Sequence, residues 1–119
     1  MVEDNPLVGR MASTMLSSMG YSPVVVVDAA AAIAEMERPD PISLLLTDIL
    51  LPGNVTGFDL ARQARGRWPD LPVLFMSGFA DPSLVPDDFR TNTKLLTKPF
   101  RLEQLSEALV FALSGAKVN

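Results

Sequence analysis

The sequence predicts one doubly wound α/β domain: a single five-stranded parallel sheet with helices on both faces. Three observations carry that expectation. Short apolar runs recur without polar alternation, as in strands buried on both faces. Segments of helical periodicity with caps and breakers separate them. The 119 residues suffice for one core and are too few for two ordinary domains. Parallel pairing needs crossover connections, and these pack as helices on the sides of the sheet.

Each element has its local reason. Asn5 and Pro6 read as an N-cap followed by proline at the first helical position, and Leu7, Val8, Met11, Met15 and Met19 follow at helical spacing, the methionines as core. Gly20 is placed to end that helix. Pro23 and the run Val24, Val25, Val26, Val27 read as a strand buried on both faces. Asp28 caps an alanine-rich helix over residues 29–37, which Pro39 and Pro41 end. Residues 42–47 form a second apolar run with Asp48 at its C-terminal end, and a loop with Pro52, Gly53, Asn54 and Gly57 follows. Residues 58–68 carry Leu60, Ala61, Ala64 and Trp68 at helical spacing among arginines and stop before Pro69. Residues 72–76 are a further strand closing on Ser77 and Gly78. Residues 81–93, broken by Pro82 and Pro86, permit at most a short helix. Residues 94–97 are a last strand ended by Lys98 and Pro99, and Leu102, Leu105, Leu109 and Ala112 mark a terminal helix ending near Gly115.

Composition narrows the chemistry. With neither cysteine nor histidine, the chain offers no disulfide, no thiolate metal site, no Ser-His-Asp triad and no imidazole base. A net charge of −4 without a basic block argues against direct nucleic-acid or membrane binding. No apolar stretch approaches the roughly 20 residues of a membrane span, and the first residues lack a basic-then-apolar leader. A cytoplasmic protein is expected, working through carboxylates, hydroxyls and lysine.

In a doubly wound sheet, ligands bind beyond the carboxyl ends of the strands. The residues there are Glu3 and Asp4 after the first strand, Asp48 after the third, Ser77 after the fourth and Lys98 after the fifth. Three carboxylates repel unless a cation sits among them, and oxygen-only ligands favour magnesium over zinc. Asp48 then serves as nucleophile toward a phosphoryl group, Lys98 neutralises charge on the phosphoryl oxygens and Ser77 hydrogen-bonds one of them. The product is an aspartyl phosphate. Asp28, Asp59 and Asp81 read as caps or turn residues, outside this set.

The pair Glu3-Asp4, the segment Thr47-Asp48-Ile49-Leu50-Leu51-Pro52-Gly53, the pair Ser77-Gly78 and Lys98-Pro99-Phe100 each carry little alone. Together, in this order and each at a strand end, they make the chain resemble the receiver domain of bacterial two-component response regulators over essentially its whole length. The resemblance implies a flavodoxin-like receiver fold over residues 1–119. It implies that Asp48 is the phosphoacceptor, taking its phosphoryl group from a histidine kinase or a histidine phosphotransfer domain, which fits a chain with no histidine of its own. It also implies Asp4 as a direct magnesium ligand, Glu3 as a ligand through water and the Leu50 carbonyl as a further ligand. Ser77 resembles the hydroxyl residue that moves on switching, with room left by Gly78. Lys98 resembles the lysine that pairs with the acyl phosphate, followed by a cis bond to Pro99.

Departures from the family pattern shape further expectations. Leu95 stands at the switch position that usually holds tyrosine or phenylalanine, Ser77 replaces the commoner threonine and Glu3 the commoner aspartate. The loop over residues 52–57 is one residue longer than the commonest pattern. Phosphorylation chemistry is expected to be intact and output unconventional. The domain then either switches or relays phosphate; the alternatives are an interaction module of the same fold that does not switch on phosphorylation, or the receiver end of a hybrid sensor kinase, which Leu95 and Ser77-Gly78-Phe79-Ala80 also resemble. A homodimer stays open. A phosphatase with an aspartyl nucleophile is disfavoured, because Leu50 stands where a second aspartate is needed. Finally, only Met1 and Val2 precede the acid pair, where a strand of about five residues is expected; the first strand is expected to be truncated or unusually short.

Overall fold

Asn5 begins the first helix: its side chain accepts hydrogen bonds from the Leu7 and Val8 N–H groups at 3.0 and 3.3 Å, and Pro6 supplies a preset φ at the first helical position. The computed structural model describes residues 1–40, 42–78, 83, 85–89 and 93–115. In these, α1 spans Pro6–Ser18, α2 Ala29–Met36, β1 Leu45–Asp48, α3 Gly57–Arg67, β2 Val73–Ser77, β3 Leu95–Thr97 and α4 Leu102–Gly115, with a 3₁₀ turn at Asp87–Phe89. Pro41, Phe79, Ala80, Asp81 and Pro82 lie outside the described residues. Replacing Asn5 with alanine is expected to cost about 1 kcal/mol, read as a lower urea midpoint; Asn5→Ser, which keeps an acceptor, should lose much less.

The strands run parallel in the order β1-β2-β3, with Leu45 opposite Val73 and Phe75 opposite Leu95. Strand periodicity splits the core. Val73 and Phe75 face α2 and α3, together with Val2, Met36, Leu60 and Phe89. Leu74 and Met76 face α1 and α4, together with Leu16, Leu46, Leu105 and Leu109. Each such side chain contributes roughly 1.5–3 kcal/mol by leaving water. On the first face Phe58, Phe75 and Phe89 pack ring against ring, and Arg62 reaches across to Asp88 at 3.0 Å, tying the 3₁₀ turn to α3. Both ends of that ion pair are exposed, so the aromatic packing dominates.

The sheet departs from the five regular strands expected. Three strands are present among the described residues, flanked by isolated parallel bridges that join Val2 to Thr47 on one side and to Val26 on the other. Pairing on that flank ends at Met1, whose amino group donates to the Val24 carbonyl at 2.7 Å. Residues 23–27 are therefore not the fully buried strand that four valines suggest: Val24, Val25 and Val27 are 43, 40 and 56 % exposed. Apolar character registers affinity for a core, and of these four valines Val26 is the one that packs against it. Two positions on α1 are corrected similarly. Leu7 and Met11 face solvent, while Met15 and Met19 are partly buried against the α1/α4 side. The segment 87–89 matches the short helix that the prolines permit. Among the described residues no helix is long and apolar enough to cross a membrane.

Candidate functional site

The strand ends bring Glu3, Asp4, Asp48 and Lys98 together. One carboxylate oxygen from each of Glu3, Asp4 and Asp48 lies within 4.8 Å of the others. Val2 places the acid pair, since its N–H donates to the Leu46 carbonyl at 2.8 Å and its carbonyl accepts from Asp48 N–H at 3.1 Å. Asp48 ends β1 almost fully buried, Glu3 is buried and Asp4 is exposed. Lys98 follows β3, and its N–H donates to the Ser77 carbonyl at 2.7 Å. Its ammonium lies 3.0 Å from Glu3 Oε1 and 2.8 Å from Asp48 Oδ1. The Lys98–Pro99 bond is cis, as the resemblance implied.

Two carboxylates therefore share one ammonium, and the charges do not balance. Burial, followed by the contact with Glu3, pushes the Asp48 carboxyl up to about 7 against the pull of Lys98. Burial also acts against the Glu3 charge. Its hydrogen bonds with Asp48, the Asn5 N–H and Lys98 outweigh that, and Glu3 is held below the ordinary glutamate range. The Lys98 ammonium loses some favour by burial, but Asp48 and Glu3 more than restore it, raising its affinity for the proton. Of the two carboxyls, Asp48 is therefore the one whose proton affinity is raised.

Asp48 Oδ1 is buried, and its partner is the Lys98 ammonium at 2.8 Å. Three clustered carboxylates facing a single ammonium suit a hard divalent cation with oxygen ligands. Magnesium fits this donor set, and Glu3, Asp4 and Asp48 would hold it.

The other expected residues take less central positions. Ser77 ends β2, buried, one strand over from Asp48. A Cβ added at Gly78 would meet nothing within 4 Å, so this position is open. Leu50 is exposed and its backbone bridges to Thr56 across the loop. Leu95, opposite Phe75, is partly buried against the α2/α3 side of the core.

Two supporting residues escaped the sequence analysis. Asn5, read as a cap, also donates its backbone N–H to Glu3 Oε2 at 3.0 Å, so the start of α1 orients the metal-side carboxylate. Thr56 caps α3 in a reciprocal box with Asp59, a pattern visible as Thr-x-x-Asp. The next residue, Gly57, donates its N–H to the Ile49 carbonyl at 2.7 Å. A Cβ there would lie 2.1 Å from the Asp48 carbonyl oxygen. The α3 start thereby presses directly on the backbone that carries Asp48.

Comparison with known proteins returns one consistent group. The family model described as "Response regulator receiver domain" matches residues 1–110. The chain is 40% identical over 106 residues to the response regulator receiver protein CpdR of Brucella abortus, covering 88% of this chain and 87% of that protein. It is 31% identical over 114 residues to the sensor protein TorS of Escherichia coli, covering 95% of this chain and only 12% of TorS. Among solved structures, NtrX from Brucella abortus superposes with a TM-score of 0.86 at 25% identity, over 98% of this chain and 27% of that one.

Proposed function

Because this chain belongs to the response regulator receiver domain family, the signalling module of two-component systems, we propose that Asp48 accepts a phosphoryl group from a phosphohistidine of a partner kinase or phosphotransfer domain. One observation carries the reading: a buried aspartate at a strand end, between two further carboxylates and one lysine. An Asp48 oxygen attacks the phosphorus, the N–P bond of the phosphohistidine breaks, and the donor histidine leaves with the bond's electrons. The product is an acyl phosphate on Asp48.

The chain's own residues have distinct parts. Glu3 and Asp4 would hold magnesium with Asp48, and the Leu50 carbonyl is a further ligand in this reading. When bound, the cation supplies positive charge to Asp48 and to the phosphoryl oxygens, which favours the ionised nucleophile. Lys98, now paired with Asp48 and Glu3, shifts its pairing to a phosphoryl oxygen. Ser77 donates its hydroxyl to another, and the open space at Gly78 admits the group. Leu95 pairs with Phe75 and packs against the α2/α3 side of the core, which supports a switch acting through repacking of that face without a rotating aromatic ring. The site is a signalling acceptor that works in the cytoplasm and turns over only its own phosphate.

The test is incubation of the protein with acetyl phosphate, with magnesium or with EDTA. Intact mass is expected to rise by one phosphoryl group with magnesium alone. No gain with magnesium, or an equal gain in Asp48→Ala, overturns the reading. Unchanged partner affinity and oligomeric state after full phosphorylation would instead identify an interaction module that does not switch.

A further inference from the structure

Thr47 is fully buried in β1, next to the nucleophile in sequence but turned away from it. Alternation along the strand puts its side chain on the α2/α3 face with Leu45 and Ile49, whereas the Asp48 carboxylate meets Lys98 at the strand end. Phe75 stands opposite Thr47 in the ladder. A hydroxyl among such neighbours costs free energy unless it is hydrogen-bonded, and valine would fill the same space without that cost. The hydroxyl does have a partner: it donates to the Asp48 carbonyl oxygen at 2.9 Å.

That bond completes a set around one peptide group. The Asp48 carbonyl and the Ile49 N–H share a plane; Thr47 holds the oxygen, and Met76 O on β2 accepts from the N–H at 2.9 Å. The Asp48 N–H is bonded to Val2 O on the other flank, so the backbone of the nucleophile is held before and after its Cα. Gly57 bounds the remaining space, since a Cβ there would stand 2.1 Å from the same carbonyl oxygen. Loss of the hydroxyl would leave the plane tethered by its N–H and able to tilt. Such a tilt turns the Asp48 carboxylate and shifts the chain that leads on to Leu50.

We infer that Thr47 is a positioning residue, whose hydroxyl fixes the peptide between Asp48 and Ile49 and so aims the Asp48 carboxylate at the incoming phosphorus. It touches neither phosphoryl group nor metal and acts only through Asp48. This rests on the reading of Asp48 as the phosphoacceptor. A buried and satisfied polar contact specifies one conformation where an apolar group of equal size only packs, which gives a reason for threonine in place of valine.

The experiment compares the parent with Thr47→Val and Thr47→Ser. Valine keeps the shape and loses the donor; serine keeps the donor and loses a methyl group. Stability and reaction should therefore rank the two variants oppositely. Thr47→Val is expected to melt close to the parent and Thr47→Ser below it. With acetyl phosphate and magnesium, Thr47→Val should lose about tenfold in maximal rate at an unchanged half-saturating concentration, while Thr47→Ser retains most of the rate. Amide exchange at Ile49 should quicken in Thr47→Val and not in Thr47→Ser. Rates that follow the melting temperatures indicate a merely structural threonine and overturn the inference, as does a Thr47→Val rate equal to the parent's. A parent that takes up no phosphoryl group sinks the acceptor reading instead. Exchange at Ile49 needs neither metal nor phosphate and then still decides on Thr47: quickening in Thr47→Val alone supports its hold on that peptide, and no change refutes it.

Discussion

Asp48→Asn is expected to take up no phosphoryl group from acetyl phosphate and, without metal, to melt above the parent at pH 8. The loss follows from chemistry, since an amide nitrogen and oxygen cannot replace the carboxylate nucleophile. The gain follows from the burial of the Asp48 charge and, after it, from the neighbouring Glu3. Asp48 ionises near 4 when unfolded and at about 7 when folded, so the folded state binds an extra proton between those values. The penalty for its charge is absent below about pH 4, grows between 4 and 7 and is complete above. Asparagine has no such titration, retains a donor toward Glu3, and leaves Lys98 in a one-to-one pair. Solvent screening and the Lys98 attraction reduce the full electrostatic value, leaving on the order of 2 kcal/mol. Melting in EDTA should show a rise of roughly 5–10 °C at pH 8, shrinking toward pH 5. A variant no more stable than the parent at pH 8 would mean that Asp48 carries no strain. The stability given up would then have no role in keeping the nucleophile ready.

Gly57→Ala is expected to be severely destabilising, by about 3 kcal/mol or more. The added Cβ would stand 2.1 Å from the Asp48 carbonyl oxygen and 3.2 Å from Ile49 Cα. Both neighbours are backbone, so no side chain can turn away. Relief requires α3 to move off β1, breaking the Gly57 N–H bond to Ile49 and displacing Asp48. Phosphorylation should fall even in the fraction that stays folded. The same substitution at Gly66, near the other end of α3, meets nothing within 4 Å. There it should stabilise by about 0.5–1 kcal/mol through helix propensity. Urea midpoints moving in opposite directions for the two variants would establish close approach, and not glycine content, as the cause. Similar shifts of the same sign would refute it.

Much of this was legible in the sequence. Caps and breakers worked at Asn5, Asp28 and Gly20, because they act through the residues next to them. The buried strands Val73–Ser77 and Leu45–Asp48 were legible from unbroken apolar runs, and the residues at their ends assembled as the topology required. What failed was non-local. Four valines could not report that Val24, Val25 and Val27 stay exposed, and Leu7 could not report that its side of α1 faces water. Nor could any local pattern show that Gly57 approaches the Asp48 backbone, or that Asp48 is buried beside a second acid with one ammonium between them. Leu95 was identified as a departure, and its place opposite Phe75 on the α2/α3 side of the core became visible only once the chain was closed.

The contact between Lys98 and Glu3 joins residues 95 apart, so one hydrogen bond ties nearly the whole chain into a single loop. No fragment of the molecule can assemble the pocket. Any opening that releases either the first residues or the stretch after β3 dismantles it entirely. A ligand held there is therefore a latch on the complete fold, and its occupancy is felt as a slower release of both ends of the chain. The site's geometry and the closure of the fold between residue 3 and residue 98 are thus one cooperative property.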